Sequence, residues 1–217
     1  MKIKMTMLTM FVVLSFMQAV NAQKLKDRIK ESVVEIGTTF IEIPEDRLKL
    51  LDQIAFTMIR KRDDKGIAHV VLVDANNHEI SQLAMVWLTT GILYYGHEDL
   101  FHIQSAGLAA DNQKIPGLRQ LKEYGFTLKD NQKNGVMGYR LKYGSGSWEV
   151  YGKALSDLQV PEGIAIKIFL QDNLIDNSID NNLVLDSTDS SNIAKEMLYL
   201  ATRINNLLMR NQKKQQL

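Results

Sequence analysis

Apolar residues recur at helical spacing twice before the first turn. Leu25, Ile29 and Val33 form one stripe; Leu48, Leu51, Ile54, Ala55, Met58 and Ile59 form another, after a Pro44 suited to the first turn of a helix. The run Arg60-Lys-Arg-Asp-Asp-Lys65 mixes both signs, ends at Gly66 and reads as a solvated turn. From Ala68 to Val73 the chain is an apolar run of strand length, opened by His69, of the kind buried on both faces of a parallel sheet. Ile80, Leu83, Ala84, Trp87, Leu88 and Ile92 mark the next helix.

Further along, the pattern predicts a strand over Leu100 to Gln104 and a helix over Pro116 to Tyr124 closed by Gly125. A hairpin pairs Met137–Tyr143 with Trp148–Tyr151 around Gly144-Ser-Gly-Ser147. Ile164 to Leu170 reads as another strand. A long last helix starts near Ser190, capped by the polar run Asp186 to Ser191, with Ile193, Met197, Leu200, Ala201, Ile204, Leu207 and Leu208 on its inner side. Strands alternating with helices predict an α/β domain, a mostly parallel sheet flanked by helices, over residues 67–210. Residues 23–66 form an N-terminal helical extension and 211–217 a polar tail.

The first 22 residues change the picture of where the protein works. A basic start with Lys2 and Lys4, an apolar stretch from Met5 to Val20 and small residues ending at Ala22 have the order of a secretory signal peptide. The apolar stretch is short for a membrane span and a polar segment follows, so cleavage before Gln23 is expected to leave no membrane anchor. The expected location is periplasmic or secreted. About 195 residues remain, enough for one domain with its own core.

Charge and cysteine content narrow the chemistry. The chain carries a formal +1, and loss of Lys2 and Lys4 takes it to −1, which gives no basis for binding nucleic acid. With no cysteine in the chain, disulfides, thiolate metal sites, a lipidated cysteine and any cysteine nucleophile are excluded.

The stretch with most chemical potential is the junction after the first strand, where Val70-Val-Leu-Val73 enters Asp74-Ala-Asn-Asn-His-Glu-Ile80-Ser81 and a helix begins. A strand, loop and helix start can aim backbone amides at one spot and favour an anion there. Yet this loop carries Asp74 and Glu79 and no Arg or Lys. Asp74 fits a role in capping amides of the loop or the following helix. Asp74, His78, Glu79 and Asp172 together have the hard donors a cation would want, but no recognised ligand spacing, so neither a metal nor another cofactor is expected. His97 and His102 among Tyr94, Tyr95 and Phe101 read as surface or strand-edge residues, and Trp148 with Tyr143 and Tyr151 as hairpin packing.

In order and spacing these elements resemble the low-molecular-weight protein tyrosine phosphatase and arsenate reductase superfamily, in particular its arsenate-reductase-like bacterial branch. The resemblance spans roughly Ile43 to Leu208. It rests on the strand-loop-helix frame at Asp74 to Ser81, on Ser105-Ala-Gly107 after the second strand, on Pro116 to Phe126 as a proline-started helix ending in Gly-Phe, and on Ile193-Ala-Lys-Glu-Met197. That family's loop reads Cys, five residues, Arg, Ser. Its nucleophilic Cys falls on Asp74 and its oxyanion-clasping Arg on Ile80, while Asn77 and Ser81 match the loop asparagine and closing serine. Its general-acid Asp falls on Asp172, with Asn173 replacing the proline. In the region 144–163 two alignments stay open: the family's third strand is either Trp148 to Leu155 or missing.

What the resemblance implies is therefore the fold without the chemistry. A thiolate attacks phosphorus or arsenic because it is soft and kept ionised by the loop; an Asp is a poorer nucleophile and carries the substrate's own sign. The expectation is an inactive relative with degenerate site residues Asp74, Asn77, Ile80, Ser81 and Asp172, kept to bind an unidentified protein or small molecule. The competing expectation is altered, cation-assisted chemistry through Asp74 and Asp172.

Overall fold

The apolar run beginning at Ala68 lies at the centre of a four-stranded sheet. In the computed structural model, which describes residues 24–110, 113, 115–161, 163–171, 174, 182–186 and 190–215, two helices come first, α1 (Asp27–Gly37) and α2 (Glu45–Arg60). Strand β1 (Ala68–Asp74) follows, then helix α3 (Glu79–Tyr94) and strand β2 (Phe101–Gly107). A 3-10 turn at Pro116–Lys122 leads into β3 (Thr127–Lys133), β4 (Val136–Lys142) and β5 (Ser147–Tyr151). The chain continues through β6 (Ile166–Phe169), β7 (Asn182–Val184) and the long helix α4 (Ser190–Gln215). Strands β2, β1, β6 and β7 lie side by side in that order, every pair parallel. Strands β3, β4 and β5 form a separate antiparallel sheet.

Side chains alternate across the parallel sheet and divide its packing in two. Val70, Leu72, Ile166 and Ile168 join the main core with Ile29 of α1, Leu51, Ile54 and Met58 of α2, nearly the whole of α3, and Ile193, Met197 and Leu200 of α4. On the opposite face Val71, Val73, Ala106 and Phe169 form a smaller cluster under Leu155, Leu158, Val160 and Leu174, a loop with no long helix among the described residues. Helix α3 is buried from Ser81 to Leu88, against the sheet on one side and α4 on the other. At Gly91 an added Cβ would stand 2.5 Å from the Cβ of Ala201, so this glycine sets the closest approach of the two helices.

The antiparallel sheet is fastened to α3 by aromatic contacts. Trp87 meets Tyr124 and Phe126 edge to face, with ring centroids 5.0 and 5.8 Å apart, and Tyr143 stacks on Trp148 at 4.2 Å. Arg47 of α2 grips Glu196 of α4 through Nε and Nη2 and also donates Nη2 to the Leu185 carbonyl, which ties helix, helix and the end of β7 together.

Several boundaries differ from those the residue pattern predicts. Pro116 to Lys122 is 3-10 and not α, closed by i to i+3 bonds such as Leu118 N–H to Ile115 O. The Pro-Gly start and the need to pass close to Glu79 suit a short tight turn. The second strand runs on to Gly107 because it stays paired with β1 to that point. Strand β3, Thr-Leu-Lys-Asp-Asn-Gln-Lys, is mostly exposed and lacks an apolar alternation, so its strand character comes from its partner β4. Helix α4 continues through Gln215, across the polar positions that follow Arg210. Residues 1–23 and 187–189, with the segments read as a signal peptide and as part of the last helix's cap, lie outside the described residues.

Candidate functional site

At the carboxyl end of β1 the chain turns from a buried strand into α3, and Asp74 is the hinge of that turn. Only 5% exposed, its carboxylate points back into its own loop. Oδ1 accepts the backbone N–H of Asn76 at 3.2 Å, both oxygens accept the N–H of His78 at 3.2 Å, and Oδ2 accepts the N–H of Ser81 at 3.1 Å. His78 is the N-cap residue of α3 and Ser81 lies in its first turn, where backbone N–H groups have no partner inside the helix. The carboxylate thus takes the place of a bound anion, at the positive end of the helix.

Asn77 is the second fixed point. It is fully buried with φ of 50°, a left-handed conformation that Asn tolerates better than most residues. Its Nδ2 donates to Ser81 Oγ at 3.0 Å, its Oδ1 accepts the backbone N–H of Lys153 at 2.9 Å, and its carbonyl accepts Nε2 of Gln82 at 2.8 Å. One side chain therefore ties loop, helix and the segment after β5 together.

The surrounding chain closes over this loop. Leu108 N–H donates to Asp74 O and Ala109 N–H to Ala75 O, so the backbone past β2 continues the pairing of the strands. Ala75 N–H donates to Gln171 Oε1. Gly107 sits so close that a Cβ there would overlap Asn77 N and Asn76 C. Its own N–H donates to the Lys153 carbonyl.

The residues singled out from the sequence divide clearly. Asp74, Asn77 and Ser81 come together as one hydrogen-bonded unit. Ile80 does not join them: its side chain packs against the main core. Glu79 faces outward to Gln120, which donates Nε2 at 3.2 Å, and abuts Gly117. His78 is exposed. Asp172 lies outside the described residues. Among the described residues no three His, Asp or Glu side chains gather as metal ligands. No helix among them is long and apolar enough to cross a membrane. Lys153, Gln171 and Gln82, all bonded to the loop, carry no local motif; they become visible only when distant segments meet.

A second cluster lies lower on the face of the sheet opposite the helices. His69 bonds Asp63 through Nε2 at 2.9 Å and meets His102 edge to face at 5.6 Å. Asp63 is held below its usual range by the His69 hydrogen bond and the Ile67 N–H. His102 is pushed below the usual imidazole range, first by burial and then by the charges of His69 and Lys153. Lys153 itself is pushed down to about 8 by burial and by Lys133.

No protein-family model matches the chain, and no curated protein sequence matches it. Among solved structures, the thioredoxin-dependent arsenate reductase of Corynebacterium glutamicum is similar in outline. It is 14% identical, covers 86% of this chain and 97% of its own, and has a TM-score of 0.35.

Proposed function

We propose that this protein is an exported, catalytically inactive relative of the low-molecular-weight phosphatases and arsenate reductases, retained for binding or scaffolding. The observation that supports this reading is the Asp74 carboxylate, which accepts the amides of Asn76, His78 and Ser81 where a loop of that family would receive an oxyanion. An incoming phosphate or arsenate meets a like charge. At an effective dielectric of about 20, two unit charges ~4 Å apart oppose each other by on the order of 4 kcal/mol. Ile80, turned into the core, supplies no countercharge.

Purified chain lacking residues 1–22 is assayed for aryl phosphate hydrolysis and for arsenate reduction with a thiol reductant. The expected result is no turnover above the blank in either assay. Turnover that Asp74→Ala abolishes would overturn the reading.

A further inference from the structure

Helices α2 and α4 run side by side in the same direction, because later positions of one meet later positions of the other. Arg47 holds Glu196, and further along Asp52 accepts the Tyr199 hydroxyl and pairs with Arg203. Helix α2 ends just before β1 begins, so both helices end beside the amino ends of the parallel strands, away from Asp74. Positions four apart share a helix face. One turn beyond Asp52 is Phe56, 52% exposed, and one turn further is Arg60, whose guanidinium lies 5.3 Å from the centroid of the Phe56 ring. On α4 the face of Arg203 continues through Leu207 to Arg210 and Lys214. Arg60 lies about 12 Å along the axis from Asp52, which the parallel register makes level with Arg210 and the residues after it.

Past Leu208, its last buried residue, α4 projects from the core as exposed turns that carry Met209, Arg210, Lys213 and Lys214. With Arg60, Lys61 and Arg62 at the end of α2, six cations gather at one end of a chain whose formal net charge is +1. Arg60, Arg210, Lys213 and Lys214 have no carboxylate partner among the described residues. The acids nearby are already engaged or offset. Asp52 is paired with Arg203, Asp63 is held by His69 and by the N–H groups of Lys65 and Ile67, and Asp64 stands beside Lys65 in the turn. Cations at a helix end also complement its macrodipole, but that effect is confined to the last turn and gives no reason for an exposed Phe among them.

We propose that this end of the domain is a peripheral binding surface for anionic lipid bilayers. Headgroup phosphates meet the cations of the α2 and α4 ends, while Phe56 and Met209 enter the interface, where their apolar surface leaves water. A nucleic-acid duplex would match the charge but offers no apolar layer for these two side chains. Contact of this kind is reversible and screened by salt, unlike that of a spanning helix. It does not depend on what the Asp74 corner does.

The test is cosedimentation of the chain lacking residues 1–22 with vesicles of phosphatidylcholine alone, and with vesicles in which phosphatidylglycerol makes up roughly a third of the lipid. Binding to the anionic vesicles is expected at about 0.05 M salt and its loss at about 0.5 M, with none to phosphatidylcholine alone. Combining Arg210→Gln, Lys213→Gln and Lys214→Gln, all beyond the buried part of α4, should weaken binding roughly a hundredfold. Combining Lys122→Gln, Lys129→Gln and Lys142→Gln removes as many cations from exposed positions on and beside the antiparallel sheet, and should leave binding within about threefold of the wild type. Phe56→Ser, at constant charge, should weaken it roughly fivefold. Circular dichroism confirms that each variant is folded. Failure to bind anionic vesicles, equal losses in the two triple variants, or a Phe56→Ser variant that binds as the wild type does would overturn the proposal. A DNA duplex bound more tightly than the vesicles at the same salt would overturn it in favour of nucleic acid.

Discussion

The Asp74 carboxylate accepts the N–H of Ser81 at 3.1 Å, across seven positions of chain and a strand-to-helix corner. The same group also holds Asn76 and His78, so three otherwise unpaired amides converge on one side chain. Asp74→Asn keeps the shape but replaces one accepting oxygen by a donor and removes the charge. A loss of about 1–3 kcal/mol in unfolding free energy is expected, read from urea denaturation. An unchanged midpoint would mean that water serves these amides equally well.

Emptying the same position opens a binding experiment. Asp74→Ser shortens the side chain and leaves the amides of Asn76, His78 and Ser81 facing a vacant corner. Phosphate at millimolar concentration should raise the melting temperature of this variant and leave the wild type unmoved, since a ligand stabilises only the state that binds it. Equal responses of the two proteins would place phosphate elsewhere.

Gly107 tests whether the loop is braced from outside. A methyl group there overlaps the backbone of Asn76 and Asn77, which cannot swing aside as a flexible side chain can. Gly107→Ala should cost roughly 1–3 kcal/mol and speed amide exchange at His78 and Ser81. Gly117→Ala is the contrast, because it meets the movable carboxylate of Glu79, and a much smaller loss is expected.

The Arg47 and Glu196 pair is enclosed, with side chains 17% and 9% exposed. Glu196→Ala leaves the guanidinium with only the Leu185 carbonyl among the described residues, and a loss of about 2–4 kcal/mol follows from an uncompensated, largely buried charge. Urea titration of Glu196→Ala beside Glu196→Gln separates the charge from the shape.

Two pH windows follow from the lower cluster. His102 titrates below its unfolded value because burial and the nearby cations oppose its charge, so the unfolded chain binds more protons and stability falls as pH drops through about 6.5. His102→Gln should flatten that slope between roughly pH 5 and 7. Asp63 is also depressed, by His69 and the Ile67 N–H, so its contribution is present above about pH 4 and lost further into acid. Asp63→Asn should lower the midpoint above about pH 4 and flatten that acid limb. Chemical denaturation midpoints across pH read both.

Recovery of the mature chain tests export separately. Amino-terminal sequencing of protein isolated outside the cytoplasm should begin at Gln23 or its cyclised form. A start at Met1 in that fraction refutes cleavage.

What is legible in the chain depends on how local its cause is. The stripes Leu51, Ile54, Ala55, Met58 and Ile80, Leu83, Ala84, Trp87 suffice to place α2 and α3, and the apolar run before Asp74 places β1, because each pattern reports burial of one face or both. Strand β3 is not legible that way, since Thr127 to Lys133 is stabilised by backbone pairing with β4 more than by its own side chains. In the loop, Asp74, Asn77 and Ser81 stand out as polar residues at a strand-to-helix junction. Lys153 does not, because its bond to Asn77 joins positions 76 apart and no nearby residue announces it. Ile80, by contrast, is legible as the head of the α3 stripe, and it turns away from the loop into the core.

A ligand that is part of the chain cannot be diluted away. Asp74 is fixed to the last position of β1, already oriented toward the amides it contacts. Groups held together in this way behave as if present at effective concentrations that free solutes do not reach, often far above molar when orientation is already set. Dissolved phosphate at millimolar levels competes with that tethered carboxylate at a disadvantage of several powers of ten, whatever its intrinsic preference for the corner. In kinetic terms, the corner is vacated only when the Asp74 carboxylate swings out of it, so exchange at this site follows the rate of that local opening and not the rate at which anions arrive.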